Sequence, residues 1–425
     1  MLYFDCGVRA LLLRMIGIQS ATSAGVAEGH GAMTIELRTS VCIVGSGPSG
    51  LLLSQILANS GIESIVLDRS SQDHIKSRVR AGVLEQGTVD ALVEAGVGDR
   101  LLREGLPHSG FDLAFDGDRH RIDVEGLTGK VVTVYGQTEL THDLFEKRSA
   151  EGGQFYFEVG DVVLDDLTRS APVVAFRKDG VLHRITCDYV AGCDGFRGVS
   201  RNAIPADVLK TYERVYPFGW LGVLTERPPV SHELIYANHA RGFALCSMRS
   251  ETRSRYYVQC DLSDKIEDWS DDRFWEELSL RIGPEAASGL ETGPSFEKSI
   301  APLRSFVAEP MRYGNLFLVG DAAHIVPPTG AKGLNLAVAD VRILSRALIE
   351  AYRGNSKLLE AYSEDALARV WKVERFSWQL STLMHQFPDH SPFEKKMQRA
   401  EFDYLKQSEA ASRSIAENYV GLPLF

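Results

Sequence analysis

The sequence predicts an α/β fold, with a parallel-sheet core, an inserted antiparallel sheet and a helical C-terminal region. Near the start of the chain, a glycine-rich turn lies between an apolar run of strand length and a helical stretch. Residues 108–135 and 215–262 alternate apolar and polar side chains and are rich in Val, Tyr and Thr, as half-buried antiparallel strands are. Residues 334–378 and 391–417 have the apolar spacing of helices. A length of 425 residues predicts two or three domains.

The composition excludes several classes of protein. Hydrophobic residues make up 44% and charged residues 24%, which is ordinary for a globular protein and excludes collagen-like, disordered and coiled-coil chains. The 57 acidic residues outnumber the 46 basic ones, giving a net charge of −11, whereas nucleic-acid binding requires a basic surface. We therefore expect no nucleic-acid partner.

The six cysteines predict neither a metal site nor a disulfide. None forms a Cys-x-x-Cys pair, and no histidine follows at zinc-ligand spacing. Most lie inside apolar runs, which is typical of buried thiols in a reducing compartment. We expect a cytoplasmic protein.

Residues 1–38 differ from the rest of the chain. Their apolar run, Ala10–Ile18, is shorter than the roughly 20 residues of a membrane span, and Arg14 interrupts it. Small residues at 21–27 leave a signal peptide as an alternative. We favour an extension outside the folded domains, with translation beginning at Met33. No other segment is apolar enough to cross a membrane, so we expect no membrane partner.

The first strand, turn and helix form a βαβ start. The apolar run Ser40–Gly45 has the length of a buried strand, the turn Gly45–Gly50 follows, and residues 51–59 are helical. The next strand ends at Asp68, 18 residues after the third glycine. This context turns a weak Gly-x-Gly-x-x-Gly pattern into a Rossmann-like dinucleotide signature.

Each glycine of this turn has a separate predicted role. Gly45 permits the tight turn, Gly47 lets the backbone approach a pyrophosphate, and Gly50 lets the helix pack on the strand. Ser46 lies within the loop, and Asp68 stands where a ribose-binding acid is expected. The helix N-terminus would attract the diphosphate.

Two later segments indicate which dinucleotide binds. Gly192–Gly195 follows the strand Asp188–Ala191, and Leu316–His324 is a strand ending in Gly-Asp. Asp321 can bind a ribityl or ribose hydroxyl, and the helix after Gly333 can direct its N–H groups at an isoalloxazine ring. These segments, in this order, resemble those of the flavoprotein aromatic hydroxylases, which implies FAD as the cofactor.

The resemblance extends from about residue 35 to the C-terminus and is closest to the branch of this family that acts on 4-hydroxybenzoate. It rests on the segments Arg80–Gly87, Tyr135–Glu139, Tyr216–Trp220, Ser231–Asn238, Gly242–Ser247, Pro327–Asn335 and Glu417–Pro423. It implies an FAD-dependent monooxygenase of aromatic catabolism that uses NAD(P)H and O2. Oxygen transfer from a flavin C4a-hydroperoxide would convert 4-hydroxybenzoate to 3,4-dihydroxybenzoate. The family also implies a homodimer.

The resemblance assigns the phenol end of the substrate to three residues. Tyr236 would contact the phenolic oxygen, and Tyr419 would continue a hydrogen-bonded chain that reaches His108. Loss of the phenolic proton makes the ortho carbon electron-rich, and a histidine suits the end of a proton path. Without the resemblance, both tyrosines would be expected in the core and the histidine in an exposed turn.

The resemblance assigns the carboxylate end to Arg249, whose guanidinium can pair bidentately with a carboxylate. Ser247, two residues earlier in the same strand, would share its face, and Tyr257 would join them. The backbone carbonyl of Pro328 would touch the reacting edge of the substrate. The apolar wall would include Trp220 and Leu245.

Further cofactor contacts come from the same resemblance. They are Arg80, Gln137, Asp321, Arg255, Lys332, Leu334 and Asn335. Arg80 would pair with the pyrophosphate and Gln137 would contact the ribityl region. Lys332 would raise the positive potential beside the ring, and Arg255 would steady a flavin that swings between buried and exposed positions.

The nicotinamide donor is less determined. Arginines at or near the positions that the family uses for it are Arg69, Arg78, Arg197 and Arg304. Arginines suit a 2′-phosphate and favour NADPH. His74 and Ser70 replace a tyrosine and a glutamine of NADPH-dependent members, which leaves NADH, or both donors, open.

The predicted fold class is thus α/β, with a Rossmann-like FAD-binding core, an inserted antiparallel-sheet substrate domain and a helical C-terminal region. The predicted parts are an FAD domain of 39–110, 188–210 and 300–345, a segment of 111–187 that is part of the FAD domain or a connecting sheet, a substrate sheet of 211–299 and a helical region of 346–425. Two other functions stay open: hydroxylation of a different hydroxy- or aminobenzoate, and a non-catalytic FAD-binding module.

Overall fold

The computed structural model describes residues 34–77 and 82–424. The strands are β1 (Thr34–Val44), β2 (Ser64–Leu67), β3 (Val83–Leu84), β4 (Leu106–His108), β5 (Gly110–Phe115), β6 (Asp118–Asp123), β7 (Val132–Val134), β8 (Gln154–Tyr156), β9 (Gly160–Asp165), β10 (Val173–Lys178), β11 (Val181–Gly192), β12 (Lys210–Thr225), β13 (Leu234–His239), β14 (Gly242–Ser250), β15 (Arg253–Cys260), β16 (Ser295–Glu309), β17 (Arg312–Tyr313), β18 (Leu316–Leu318) and β19 (His324–Ile325). The helices are α1 (Pro48–Asn59), α2 (Gln72–Ser77), α3 (Gln86–Glu94), α4 (Asp99–Glu104), α5 (Val124–Thr128), α6 (Gln137–Ala150), α7 (Asp271–Ile282), α8 (Pro284–Ala287), α9 (Gly333–Tyr352), α10 (Lys357–Met384), α11 (Pro392–Gln407) and α12 (Glu409–Val420).

The first sheet is the predicted nucleotide-binding core. Its central strands run in the order β18-β11-β1-β2-β8 and are parallel, while β17, β10 and β9 add antiparallel pairs. Val41, Cys42 and Ile43 of β1 are fully buried, as expected for a strand covered on both faces. The carboxyl ends of β1 and β11 lie side by side, because Val44 is in register with Gly192. Ligands bind at such an edge in open α/β sheets.

The second sheet is the predicted substrate sheet. Eight strands follow the order β19-β16-β12-β15-β14-β13-β5-β6, and all pairs are antiparallel except β13 with β5. A small third sheet joins β3, β7 and β4. Helices dominate after residue 333, as predicted, with α9 and α10 the longest.

The structure moves three of the predicted boundaries. Strand β1 begins at Thr34, paired with Leu182, so the folded part includes residues 34–38 of the predicted extension. The hairpin of β5 and β6 belongs to the second sheet and not to the connecting one, and so does β16, which lies partly within the predicted FAD segment. Strands β8 to β10 belong to the first sheet, which agrees with residues 111–187 being partly FAD domain. Pairing between distant segments decides each of these memberships.

Some predictions fall outside the described residues. These are the expectations for residues 1–33, Arg78, Arg80 and Cys6. Within the described ranges the other five cysteines are buried free thiols. No helix there combines the length and apolar character needed to cross a bilayer.

Candidate active site

The glycine-rich turn after β1 has the tight packing that the sequence predicts. Gly45 has φ +108°, and a Cβ there would lie 2.2 Å from the carbonyl oxygen of Cys193. A Cβ on Gly50 would lie 2.0 Å from the carbonyl oxygen of Gly45. Any side chain at either position would collide with backbone, so both glycines are required by the fold itself.

Gly47 differs, because a Cβ there would meet no protein atom within 4 Å. The residue lines a cavity of about 840 Å³ and caps α1, whose first N–H groups donate to no capping side chain among the described residues. A turn that is open on this side, with unfilled helical donors, fits a diphosphate. The site therefore has the shape and the donors that a dinucleotide requires.

Asp68 lies at the end of β2 and lines the same cavity. Its carboxylate accepts hydrogen bonds from the Ser46 backbone N–H at 2.8 Å, from the Ser46 hydroxyl at 2.9 Å and from the Ser70 N–H at 2.8 Å. These bonds fix the carboxylate beside the glycine turn. Ser46 thus holds the turn in place by donating two hydrogen bonds to Asp68.

The Gly-Asp segment and the start of α9 form the opposite part of the cavity. Asp321, Gly333 and Leu334 line it, and α9 begins without a side-chain cap. Gln137, at the start of α6, lines it as well. Of the predicted flavin-binding positions that the structure describes, all but Ser46, Gly50 and Asn335 line this one cavity.

Asn335 contacts protein rather than the cavity. Its side-chain oxygen accepts from the Glu85 N–H at 2.9 Å and from the Thr88 hydroxyl at 2.8 Å. Its amide donates to the carbonyls of Val83 and Ala331 at 2.8 and 2.9 Å. These four bonds use the side chain to hold β3 and α3 against α9, and the predicted place of Asn335 beside a flavin ring stays a prediction.

The cavity continues onto one face of the second sheet. Register places Tyr236 of β13 beside Leu245 of β14, Leu245 beside Tyr257 of β15, and Tyr257 beside Gly222 of β12. The three side chains of this row line the cavity. A Cβ on Gly222 would lie 2.7 Å from the Tyr257 ring, so the glycine makes room for that ring. Trp220, two residues earlier on β12, also lines the cavity.

Arg249 lies near the end of β14, on the same face as Ser247, and both line the cavity. Its Nη1 is buried and has no hydrogen-bond partner among the described residues. Burial lowers the pKa of the guanidinium, and Tyr257, to which it donates a hydrogen bond, partly offsets this. A buried guanidinium nitrogen facing a cavity is suited to bind an anion.

Two buried tyrosines meet at the other end of this row. The hydroxyls of Tyr236 and Tyr419 are 2.9 Å apart. Both side chains are at most 2% exposed, and burial raises the pKa of each. The ring of Phe111 lies 4.1 Å from the Tyr419 ring, centroid to centroid, and helps to hold it. The pair stays protonated at neutral pH and can pass a proton by donating and accepting in turn.

His108 is placed differently from the exposed turn residue that the sequence alone predicts. It is 1% exposed and ends β4, which pairs with β7. The cover comes from residues 231–233, more than 120 residues away in the chain. No hydrogen bond joins it directly to Tyr419 among the residues described, so the predicted chain is direct only between the two tyrosines.

Lys332 lies within a buried cluster of charges. Its Nζ, 2% exposed, is 2.6 Å from Glu85 Oε1 and 2.8 Å from the Tyr419 carbonyl oxygen. Arg369 lies 3.3 Å from the other oxygen of Glu85. The single carboxylate of Glu85 thus pairs with both Lys332 and Arg369, and the three groups together have a formal charge of +1. Burial lowers the pKa of Lys332, and Glu85 opposes that effect.

Pro328 lines the cavity at the start of a short 3₁₀ turn before α9. The Thr329 hydroxyl is 2.8 Å from that of Ser381 on α10, which fixes the turn. Arg255 also lines the cavity and pairs with Glu297 at 2.7 Å. Glu297 therefore holds the guanidinium of Arg255 at the cavity wall.

The candidate nicotinamide residues are split. Arg69 and Arg197 line the cavity at its nucleotide end. Arg304 does not line it and pairs with Glu213 at 3.2 Å. Within the described ranges, no group of three or more His, Cys, Asp or Glu side chains could hold a metal ion.

Sequence reasoning missed three buried residues of this region. Glu85 and Arg369 complete the lysine cluster. His385 accepts a hydrogen bond from the Trp220 indole at 2.8 Å and contacts the Ser381 carbonyl through Nδ1 at 2.9 Å. The position of Glu85 inside the segment Arg80–Gly87 could have indicated it. No local sequence pattern indicates Arg369 or His385.

Comparison with known proteins agrees with this geometry. A family model described as FAD binding domain matches residues 38–377. p-Hydroxybenzoate hydroxylase of Acinetobacter baylyi is 56% identical over 389 residues, which are 91% of this chain and 96% of that protein. An uncharacterized aromatic compound monooxygenase of Bacillus subtilis is 26% identical over 332 residues, 76% of this chain and 64% of that protein.

Solved structures share the fold. The p-nitrophenol 4-monooxygenase of Pseudomonas putida matches with a TM-score of 0.77 at 20% identity, over 92% of this chain and 100% of that chain. Aklavinone-11 hydroxylase, in a ternary complex with FAD and aklavinone, matches with a TM-score of 0.68 at 20% identity, over 82% of this chain and 69% of that chain.

Proposed function

The chain belongs to the FAD-binding aromatic hydroxylases, and we propose that its reaction is the hydroxylation of 4-hydroxybenzoate at carbon 3. In this reaction 4-hydroxybenzoate, O2, NAD(P)H and a proton give 3,4-dihydroxybenzoate, NAD(P)⁺ and water. The observation that supports it most strongly is the 56% identity to p-hydroxybenzoate hydroxylase over nearly the whole of both chains. A single cavity that holds a dinucleotide turn, a buried guanidinium and a tyrosine pair is consistent with that substrate.

Arg249 would bind the substrate carboxylate. Within residues 34–77 and 82–424 its buried Nη1 has no partner, and a carboxylate can supply both the charge and the bidentate geometry. The Ser247 hydroxyl and the Tyr257 ring would complete this end of the site. Because Tyr236 lies in the same cavity, a substrate of this kind would direct its phenol towards the tyrosine pair.

Tyr236 would hold the phenolic oxygen and receive its proton through exchange with Tyr419. The resulting phenolate raises the electron density of the ortho carbon, which is carbon 3. The +1 cluster around Lys332, whose Nζ contacts the Tyr419 backbone, and the charge of Arg249 both favour the anionic phenolate. The apolar side chains of Trp220 and Leu245 would exclude water from the reacting ring.

The glycine turn, Asp68, Asp321 and the N-terminus of α9 would hold FAD, in a cavity whose open Gly47 and uncapped helices fit that cofactor. When bound, FAD takes a hydride from NAD(P)H and activates O2 for transfer of one oxygen atom. The chain's own part is to position the substrate carbon beside the turn that begins at Pro328 and to remove the phenolic proton.

We also propose a cytoplasmic homodimer. The five buried free thiols of the described chain suit a reducing compartment, and the family resemblance supports the dimer. Sedimentation of the purified holoenzyme tests the oligomeric state directly: a monomer at micromolar concentration contradicts it.

Steady-state oxidation of NADH and NADPH, with analysis of the aromatic product, tests the function. The proposal expects strong stimulation by 4-hydroxybenzoate and formation of 3,4-dihydroxybenzoate with at least one donor. Stimulation by 3-hydroxybenzoate or 4-aminobenzoate, with no response to 4-hydroxybenzoate, would assign a different substrate. No stimulation by any of these acids would support a non-catalytic FAD-binding module.

A further inference from the structure

His108 is a buried histidine without a hydrogen-bond partner among the residues described. It is 1% exposed, and neither Nδ1 nor Nε2 bonds to protein. Buried polar groups are almost always hydrogen-bonded, so an imidazole with two unpartnered nitrogens points to a role for those nitrogens. Burial, together with the neighbouring His232, lowers the pKa of His108 to about 4. The ring is therefore neutral near pH 7, with one nitrogen able to donate and the other able to accept.

A second histidine, His232, lies between His108 and the solvent. The two ring centroids are 5.3 Å apart, with an angle of 82° between the ring planes. They meet because β5 and β13 are parallel neighbours in register, Phe111 beside Leu234, so that the segments preceding both strands run side by side. His232 is exposed, whereas His108 is buried. The pair thus reaches from the interior to the surface.

The surface at this point is concave. His232 lines a cavity of about 510 Å³ together with Pro107 and Ser109, the two residues that flank His108. The cavity is separate from the one that holds the glycine turn. It gives water and buffer molecules access to the exposed histidine and to the backbone on either side of the buried one.

One guanidinium and three carboxylates lie around the histidine pair. Glu233 accepts from Arg121 at 2.8 Å and from the Ser109 hydroxyl at 3.2 Å. Arg121 also lies 3.3 Å from Asp123. Glu125 is a further carboxylate in the cavity lining. No carboxylate among the described residues bonds directly to the buried imidazole, so a proton that reaches it is not trapped there.

We infer that His232 exchanges protons between the solvent and His108, and so connects the buried proton path with bulk water. This inference rests on the proposed function, because it concerns the proton that 4-hydroxybenzoate loses on binding. The proton would leave the phenolic oxygen, pass through Tyr236 and Tyr419, and reach one nitrogen of His108 by way of water, because no direct bond joins Tyr419 to His108 among the described residues. The other nitrogen of His108 gives up its proton towards His232, which releases a proton to water or buffer.

The variant His232→Gln tests the inference, because the residue is exposed and its replacement should leave the fold intact. The holoenzyme is mixed rapidly with 4-hydroxybenzoate without NAD(P)H, and a pH indicator records proton release. We expect release to slow by about tenfold, less than the usual acid–base effect because water retains some access. Equilibrium affinity should not change, and added imidazole should restore the rate. His142→Gln, at an exposed histidine of α6, should behave as wild type.

An unchanged rate of release in His232→Gln overturns the inference, and so does a slowed rate that imidazole does not restore. Product formation by the wild-type enzyme is measured in parallel and reports on the proposed function alone. If the wild type forms 3,4-dihydroxybenzoate while the variant releases protons normally, only the inference fails. If the wild type binds 4-hydroxybenzoate without hydroxylating it, the proposed function fails first.

Discussion

Arg249→Ala is expected to weaken the binding of 4-hydroxybenzoate, because it removes the countercharge of the substrate carboxylate. Arg249 projects a buried nitrogen without a protein partner into the cavity, so a bound carboxylate would depend on it. Removing one partner of a buried, hydrogen-bonded charge pair costs about 2–5 kcal/mol. Part of the Arg249 side chain is accessible, so we take the lower range, about 2–3 kcal/mol, which is about 30- to 150-fold in Kd.

Titration of the oxidised enzyme, followed by flavin absorbance, measures this change. Arg249→Lys should bind with intermediate affinity, because it keeps the charge and loses the planar fork. The matched control is Arg253→Ala, in the same hairpin, whose half-exposed guanidinium pairs with Glu226 at 3.0 Å. An exposed ion pair of this kind contributes little to stability, so Arg253→Ala should bind 4-hydroxybenzoate with the affinity of the wild type.

A ligand without the carboxylate separates electrostatics from packing. 4-Hydroxybenzyl alcohol should bind equally to wild type and to Arg249→Ala, since neither complex contains the ion pair. An affinity for 4-hydroxybenzoate that falls by less than about threefold would refute the reasoning. Equal losses for the acid and the alcohol would refute it as well, because the effect would then come from a disturbed pocket.

Three further predictions follow from buried groups of the site. Tyr236→Phe should still bind substrate and reduce the flavin, but should release hydrogen peroxide. Hydroxylation should slow about 100-fold, because the phenolic proton loses its acceptor. The amount of hydroxylated product per NAD(P)H oxidised measures the loss of coupling. Glu85→Gln should lower the free energy of unfolding in urea by about 3 kcal/mol, since Lys332 and Arg369 lose their shared carboxylate. Burial lowers the pKa of His385 to about 3 in the folded chain. Below about pH 6.5 the histidine is therefore protonated in the unfolded chain and neutral in the folded one. Proton uptake then favours the unfolded state, so the free energy of unfolding falls as the pH falls. Between pH 6.5 and 5 the wild type should lose about 2 kcal/mol relative to His385→Asn, measured by urea unfolding at both values.

The first two of these have a control at an exposed position. Tyr404→Phe, at a side chain 55% exposed, should keep full coupling, and equal coupling in Tyr236→Phe would show that the phenolate argument is wrong. Glu94→Gln, whose pair with Arg342 is exposed, should change stability by less than about 0.5 kcal/mol. If Glu85→Gln were equally mild, the lysine cluster would not contribute to the fold. In the pH experiment, Glu374 has the opposite effect, because burial raises its pKa to about 7 and its protonation stabilises the folded chain as the pH falls. The comparison of wild type with His385→Asn cancels this effect, since both proteins contain Glu374.

The nucleotide-binding core could be predicted because its determinants are local. The glycine turn, the helix after it and Asp68 lie within 30 residues, and the structure places them against one cavity. Alternation also predicted the strands of the second sheet. Local patterns could not predict that β5 and β6 would join that sheet, because their partner β13 lies more than 110 residues later.

The chemistry of the site depends on similar long-range pairing. Lys332 was expected to raise the positive potential beside the ring, and no local pattern indicated its partner Glu85, which lies 247 residues earlier. Without the resemblance, His108 was expected in an exposed turn after Pro107, whereas it is buried against His232, 124 residues later. Residue types indicate which chemistry is available. The fold decides which charges are paired and which nitrogens remain buried without a partner.

The pH at which bound 4-hydroxybenzoate ionises is the most direct test of the central claim, that this cavity holds the substrate as a phenolate. The ultraviolet difference spectrum of the complex, recorded across pH 6 to 10 without NAD(P)H, gives this value. We predict phenolate at a lower pH on the enzyme than in water, and a smaller displacement in Tyr236→Phe. Ionisation at the same pH in both media, or at a higher pH on the enzyme, would contradict the account.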